Sequence, residues 1–144
     1  MNILMVCLGN ICRSPLAHGV LQQMAVAKNL NWHVDSAGTG DWHVGQAPDH
    51  RSIAVAKKYG VDISGQRAQH FTVALFDLYD LILVMDRQNY QDVLGLANTA
   101  EQKDKVRLFL DDDVVPDPYF DDALFEPVYD MVEKRCQQLI SELS

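Results

Sequence analysis

Asn2-Ile3-Leu4-Met5-Val6-Cys7-Leu8, followed by Gly9-Asn10-Ile11-Cys12-Arg13-Ser14-Pro15, is the stretch that decides the architecture. Residues 2–8 form an apolar run that stops at a glycine, the pattern of a strand buried on both faces in the middle of a parallel sheet. Ser14-Pro15 then predicts a helix start, because Ser is a favoured N-cap and Pro suits the first helical position, where its missing N–H would be unpaired anyway. Leu16, Val20, Met24 and Ala27 continue at helical spacing.

Outward from this unit the alternation persists, which points to an α/β fold with a parallel sheet. Residues 32–37 predict a second strand. Pro48-Asp49 opens a helix through Ala56, with Gly60 as its stop. Leu81-Ile82-Leu83-Val84-Met85 is the clearest buried strand, residues 87–96 predict a helix, and Val106–Leu110 a last strand. Val128, Val132, Cys136, Leu139 and Leu143 mark one face of a terminal helix. With no linker, repeat or low-complexity segment, residues 1–144 are expected to form one domain.

The composition is that of a soluble globular chain, 48% hydrophobic and 22% charged. The start lacks the basic lead-in and longer apolar core of a secretory signal, and no stretch approaches the roughly 18 apolar residues of a membrane span, so no membrane insertion is expected. A formal charge of −8 excludes nonspecific nucleic-acid binding, which needs a basic surface. Three cysteines without framework spacing, Cys7, Cys12 and Cys136, suit a reducing, cytoplasmic setting. Cys136 falls on the apolar face of the terminal helix and reads as core. His33, His50 and His70 show no metal-ligand spacing, and neither metal nor cofactor is expected.

The chemistry concentrates in Cys7-Leu8-Gly9-Asn10-Ile11-Cys12-Arg13-Ser14. Ligands of α/β sheets bind beyond the carboxyl ends of strands. A tight loop there, running into a helix N-terminus, aims backbone N–H groups inward and makes an anion site for phosphate or another oxyanion. Gly9 is expected to supply a backbone conformation that other residues resist. Arg13 can grip two phosphate oxygens with its planar fork, and the same positive field favours a thiolate at Cys7. Cys-x5-Arg alone also describes a buried cysteine near a surface arginine; its place between strand and helix favours the catalytic reading. Expelling an aryl oxide leaving group at neutral pH is helped by an acid. Asp117, stiffened between Pro116 and Pro118, is one candidate, and Asp113 in the run Asp111–Asp113 is another; that run otherwise reads as a solvated loop.

Four segments together resemble the low-molecular-weight protein tyrosine phosphatase family. They are Val6–Pro15, Asp35-Ser36-Ala37-Gly38-Thr39-Gly40, Met85-Asp86-Arg87-Gln88-Asn89 and Asp117-Pro118-Tyr119, in the family's order over nearly the whole chain. The resemblance implies a three-layer fold with a four-stranded parallel sheet in the order 2-1-3-4. It implies Cys7 as nucleophile, Arg13 as phosphate clamp and Asp117 as general acid and then base. Asn10 and Ser36 would hold the loop by hydrogen bonds, and Ser14 would stabilise the thiolate. Trp42 and Tyr119 match the walls of the family's deep cleft, which suits the flat ring of a phosphotyrosine and is too deep for phosphoserine; His43 is placed at its edge. The implied partner is a tyrosine-phosphorylated protein, in bacterial relatives often a tyrosine kinase. Cys12 would form a reversible disulfide with Cys7 under oxidation and shield it from overoxidation.

Rival readings are disfavoured by particular residues. Arsenate reductases of this fold carry a redox cysteine pair after the central strand, and residues 80–100 contain no cysteine. Protein arginine phosphatases typically have Thr where Ile11 stands. A noncatalytic phosphotyrosine-binding module could dispense with Cys7 or Asp117, and both are present. The chain also departs from its relatives. Phe120 replaces a second tyrosine, His18 stands where many have Glu, and Gly65 replaces a histidine.

Overall fold

Ile3, Leu4, Met5 and Val6 are fully buried, and the two-residue alternation of a strand sends them to opposite faces. Ile3 and Met5 enter one half of the core, Leu4 and Val6 the other. This strand, β1 (Asn2–Cys7), is therefore the centre of the fold in the computed structural model, which describes residues 1–111 and 113–144. Burying each such side chain is worth roughly 1.5–3 kcal/mol.

The chain continues as α1 (Arg13–Ala27), β2 (His33–Gly38), α2 (His50–Lys58), α3 (Leu75–Leu78), β3 (Leu81–Val84), α4 (Arg87–Leu96), α5 (Ala100–Asp104), β4 (Val106–Leu108), a 3-10 turn at Asp122–Leu124 and α6 (Phe125–Leu143). The four strands form a parallel sheet in the order β2-β1-β3-β4, as expected. Helices α1, α2 and α6 cover one face, α3 and α4 the other. The register pairs Cys7 with Gly38 and Val6 with Val84, so the carboxyl ends of three strands share one edge. Val115 N–H donates to the Met85 carbonyl at 2.8 Å and brings the later loop to that edge.

Several boundaries shift. The strands end within two residues of the expected positions, and α4 spans the expected 87–96. Asp49 caps α2 by accepting from Arg51 N–H at 2.8 Å, and α2 reaches Lys58, just before Gly60. Helix α1 starts at Arg13, one residue before the expected cap, which puts Pro15 third in the helix, still within the first turn, where N–H groups need no intrahelical partner. Ser14 does not cap because its hydroxyl is engaged elsewhere. Leu21 and Ala25, not Ala27, carry the buried face of α1 towards its end, and Ala27 is exposed. In α6, Val128, Val132, Cys136 and Leu139 are buried, with Leu143 packed at the edge of the core. Burial pushes the Cys136 thiol pKa up and keeps it an inert packing group. Asp111 and Asp113 are exposed, and Asp112 of that run lies outside the described residues.

Candidate active site

The turn from β1 into α1 is shaped by close backbone contact. A β-carbon on Gly38 would lie 2.8 Å from the Leu8 carbonyl oxygen, so β2 can press against the loop only with glycine there. The left-handed residue of the loop is Asn10, at φ 58°, and Gly9 is not in that region. Asparagine is among the few side chains that tolerate this conformation, here secured at both ends of its amide. Gln69 N–H donates to Asn10 Oδ1 at 3.0 Å, and Asn10 Nδ2 donates to Ser14 Oγ at 2.8 Å.

The Ser14 oxygen accepts from Asn10, which leaves its proton free to be donated to the Cys7 sulfur, 3.0 Å away. Ser14 is thus held where its hydroxyl can donate to the Cys7 sulfur. Ser36 supports the loop differently from expectation. Its carbonyl accepts from Gln69 Nε2 at 2.9 Å, so Gln69 links it to Asn10, while its hydroxyl pairs with His18 Nδ1 at 3.0 Å. Burial first lowers the His18 pKa, with Asp35 opposing, which disfavours the charged ring.

Arg13 is buried beneath the loop. Its Nη1 donates to Asp86 Oδ2 at 2.7 Å and to the Val115 carbonyl at 3.1 Å, and its Nη2 lies 3.7 Å from Asp117 Oδ2. Burial works against its charge, but the Cys7 sulfur, Asp86 and Asp117 outweigh that and raise its pKa above the usual arginine value. Asp86 also caps α4, its Oδ1 accepting from Asn89 N–H at 2.8 Å.

Cys7, Arg13 and Asp117 open into one cleft of about 210 Å³. Leu8, Gly9, Ile11, Cys12, Trp42, His43 and Tyr119 line the same cleft. Trp42 is 66% exposed yet lies on Gly40, where a β-carbon would come within 2.0 Å of the indole. His43 Nδ1 pairs with Gln46 Oε1 at 2.9 Å. The Cys12 thiol pKa is pushed up to about 12, first by burial and then by the charges of Asp49, Cys7 and Asp117. Cys7 and Cys12 are both free. Among the described residues, no group of His, Cys, Asp or Glu could hold a metal ion, and no helix is long and apolar enough to cross a membrane.

Sequence reasoning missed Asp86 and Gln69 as supports, although Asp86 sits in the family-like segment after β3. It also gave Phe120 no place in the site; the ring lines the cleft, 93% exposed, edge-on to Tyr119 with centroids 4.9 Å apart. Its signal was the run of two aromatics directly after Asp117-Pro118.

Residues 2–144 match the family described as low molecular weight phosphotyrosine protein phosphatase. The Bacillus subtilis low molecular weight protein-tyrosine-phosphatase YfkJ is 34% identical over 149 residues, which cover 99% of this chain and 95% of that protein. A protein tyrosine phosphatase structure from Entamoeba histolytica, with Hepes in its active site, superposes with a TM-score of 0.93 at 34% identity, covering 99% of this chain and 96% of the other. Vibrio vulnificus Wzb in complex with benzylphosphonate gives 0.89 at 34% identity, with coverage of 99% and 98%. The chain belongs to the low molecular weight phosphotyrosine protein phosphatase family.

Proposed function

We propose that this protein hydrolyses phosphotyrosine in proteins through a phosphocysteine on Cys7, without a metal. The observation that carries the reading is the Ser14 hydroxyl 3.0 Å from the Cys7 sulfur in a cleft that also holds Arg13 and Asp117.

In the first step the Cys7 thiolate attacks phosphorus and the bond to the tyrosine oxygen breaks. Asp117, protonated, gives its proton to the leaving phenolate oxygen. Arg13 and the loop N–H groups hold the equatorial oxygens, where charge is spread in the transition state. In the second step Asp117, now a carboxylate, takes a proton from water as the water attacks phosphorus. The S–P bond breaks, inorganic phosphate leaves, and the thiolate returns.

Trp42, Tyr119 and Phe120 offer aromatic faces and edges at the rim, and Ile11 an apolar wall, which suits a phenyl ring better than a guanidinium. Benzylphosphonate, the ligand of the Vibrio vulnificus relative, joins an aromatic ring to a phosphonate and has the same pattern. A tyrosine-phosphorylated protein, such as a bacterial tyrosine kinase, is the proposed substrate, and the cytoplasm the proposed setting.

The test compares phosphate release from phosphotyrosine, phosphoarginine and phosphoserine peptides, with arsenate reduction alongside. Phosphotyrosine is expected to dominate, and Cys7→Ser to bind phosphate while losing turnover; preference for phosphoarginine, or undiminished turnover by Cys7→Ser, would overturn the reading. The same proposal includes reversible closure of a Cys7–Cys12 disulfide under peroxide. With the Cys12 pKa at about 12, its thiolate fraction rises roughly tenfold per pH unit below that value, so closure accelerates with pH. Cys12→Ala that regains full activity with reductant after peroxide would remove the protective role.

A further inference from the structure

The segment bearing Asp117 is anchored at its start by Val115, whose N–H and carbonyl bond Met85 and Arg13. Beyond it, Tyr119 N–H bonds Asp117 Oδ1 at 3.1 Å and Asp121 N–H bonds the Pro118 carbonyl at 3.0 Å, both within the segment. The far end is tied back by Arg51, from the first turn of α2. Its Nε and Nη2 donate to the two oxygens of Asp49 at 3.0 and 2.9 Å, a fork-to-carboxylate pair. Its Nη1 donates to Asp122 Oδ1 at 2.6 Å. The guanidinium also lies 4.6 Å from the Phe125 ring centroid and 5.5 Å from that of Tyr119. Asp49 in turn donates its N–H to the Ile11 carbonyl of the phosphate loop at 2.8 Å.

We propose that Arg51 is a positioning residue that sets the place of Asp117 relative to the phosphate loop, spanning the two from Asp49 to Asp122 and Tyr119. The inference rests on the phosphatase reading. A plain surface ion pair is the competing account. The Asp122 side chain is 85% exposed, so that contact adds little to stability. The Asp49 carboxylate, by contrast, is largely covered and locked on Arg51, so the guanidinium is held from the loop side and reaches outward in one orientation. A charged group fixed at one end and bonded to the acid-bearing segment at the other acts on geometry, and misplacing a reacting group by about 1 Å can cost on the order of 100-fold.

The experiment measures kcat/KM for phenyl phosphate and for 2,4-dinitrophenyl phosphate with wild type, Arg51→Met and Asp122→Asn. Phenol, with a pKa of about 10, depends on the proton from Asp117, whereas dinitrophenolate leaves without one. Both substrates put a ring against Tyr119, so a displaced wall lowers both alike. Only a displaced acid lowers them unequally. Arg51→Met is expected to lose about tenfold on phenyl phosphate and less than about threefold on the dinitrophenyl ester. Asp122→Asn, on the exposed side, should show the same asymmetry at smaller size. Competitive inhibition by inorganic phosphate should be unchanged in both variants, which shows that the loop is folded. Equal losses on the two esters, or a loss accompanied by weakened phosphate inhibition, overturn the positioning role. A wild-type protein that turns over neither ester overturns the phosphatase reading and this inference with it.

Discussion

The phosphate loop and the acid-bearing segment face each other across one cleft but are built on different principles. In the loop, Asn10, Arg13 and Ser14 are buried, and the Asn10 amide, the Ser14 hydroxyl and Arg13 Nη1 are each matched inside the protein. Polar groups in such surroundings are costly to leave unpaired, so the network admits one arrangement. The segment from Asp117 to Phe120 is mostly exposed, its hydrogen bonds are short-range, and its outward contacts are charges and ring faces. On the proposed mechanism, capture of the oxyanion is therefore preformed, while delivery of the proton depends on contacts that water can enter. Substitutions on the two sides should separate binding from chemistry.

The largest break is expected on the rigid side. Arg13→Lys replaces a planar fork with a point charge that cannot serve Asp86, Val115 and two phosphate oxygens together. Turnover should fall on the order of 1000-fold, with inorganic phosphate binding weakened as well. On the exposed side, Asp117→Asn removes the transferable proton and takes from the loop only the 3.7 Å charge contact with Arg13. kcat/KM for a phosphotyrosine peptide should fall by about 100-fold or more, with the phosphate inhibition constant unchanged. If Asp117→Asn weakens phosphate inhibition as much as Arg13→Lys does, the two regions are not independent and the comparison fails.

The same contrast explains what could be read in the sequence. The strand, the loop and the helix after it are contiguous, so their apolar run and Cys-x5-Arg-Ser spacing carry the local structure directly. The helix start was misplaced by two residues because Ser14 looks like a cap in isolation; its hydroxyl is engaged by Asn10 and Cys7 instead. Gly9 was expected to be the special backbone position, and Asn10 takes that role because its amide has partners at both ends. Helices α3 and α5, of 4 and 5 residues, are too short to show a periodicity. The supports of the site lie far off in sequence: Asp86 is 73 residues from Arg13, and Gln69 is 59 from Asn10. No local pattern announces such pairings. Asp117 itself could be chosen over Asp113 only by resemblance, since flanking prolines constrain a loop without saying what it faces.

A finer cut falls on Asp86, which joins the rigid side to α4. Asp86→Asn keeps a cap, because asparagine accepts from the helix N–H about as well, but removes the negative charge opposite the buried Arg13. Asp86→Ala removes both. Activity should fall comparably in the two variants, by about tenfold, as Arg13 loses its orientation. Thermal or urea unfolding should show Asp86→Ala less stable than Asp86→Asn by about 1 kcal/mol, the usual worth of a cap. Equal stabilities would mean that capping contributes nothing here.

The smallest effect concerns the far end of the network that braces the loop. His18 bonds Ser36, whose carbonyl is tied through Gln69 to Asn10, with Asp35 and His33 as titratable neighbours. Burial lowers the native His18 pKa, so below the ordinary histidine value of about 6.5 the unfolded chain binds a proton that the native ring resists. Stability rises with pH wherever the unfolded state holds more protons, so this contribution is complete above that value. It is lost as pH falls from there through the lowered native value. His18→Gln retains a polar partner for Ser36 and carries no titration, so its unfolding midpoint should decline less steeply than that of wild type between neutral and mildly acidic pH. Parallel pH profiles for the two proteins would show that His18 carries no such penalty and that the brace does not sense pH.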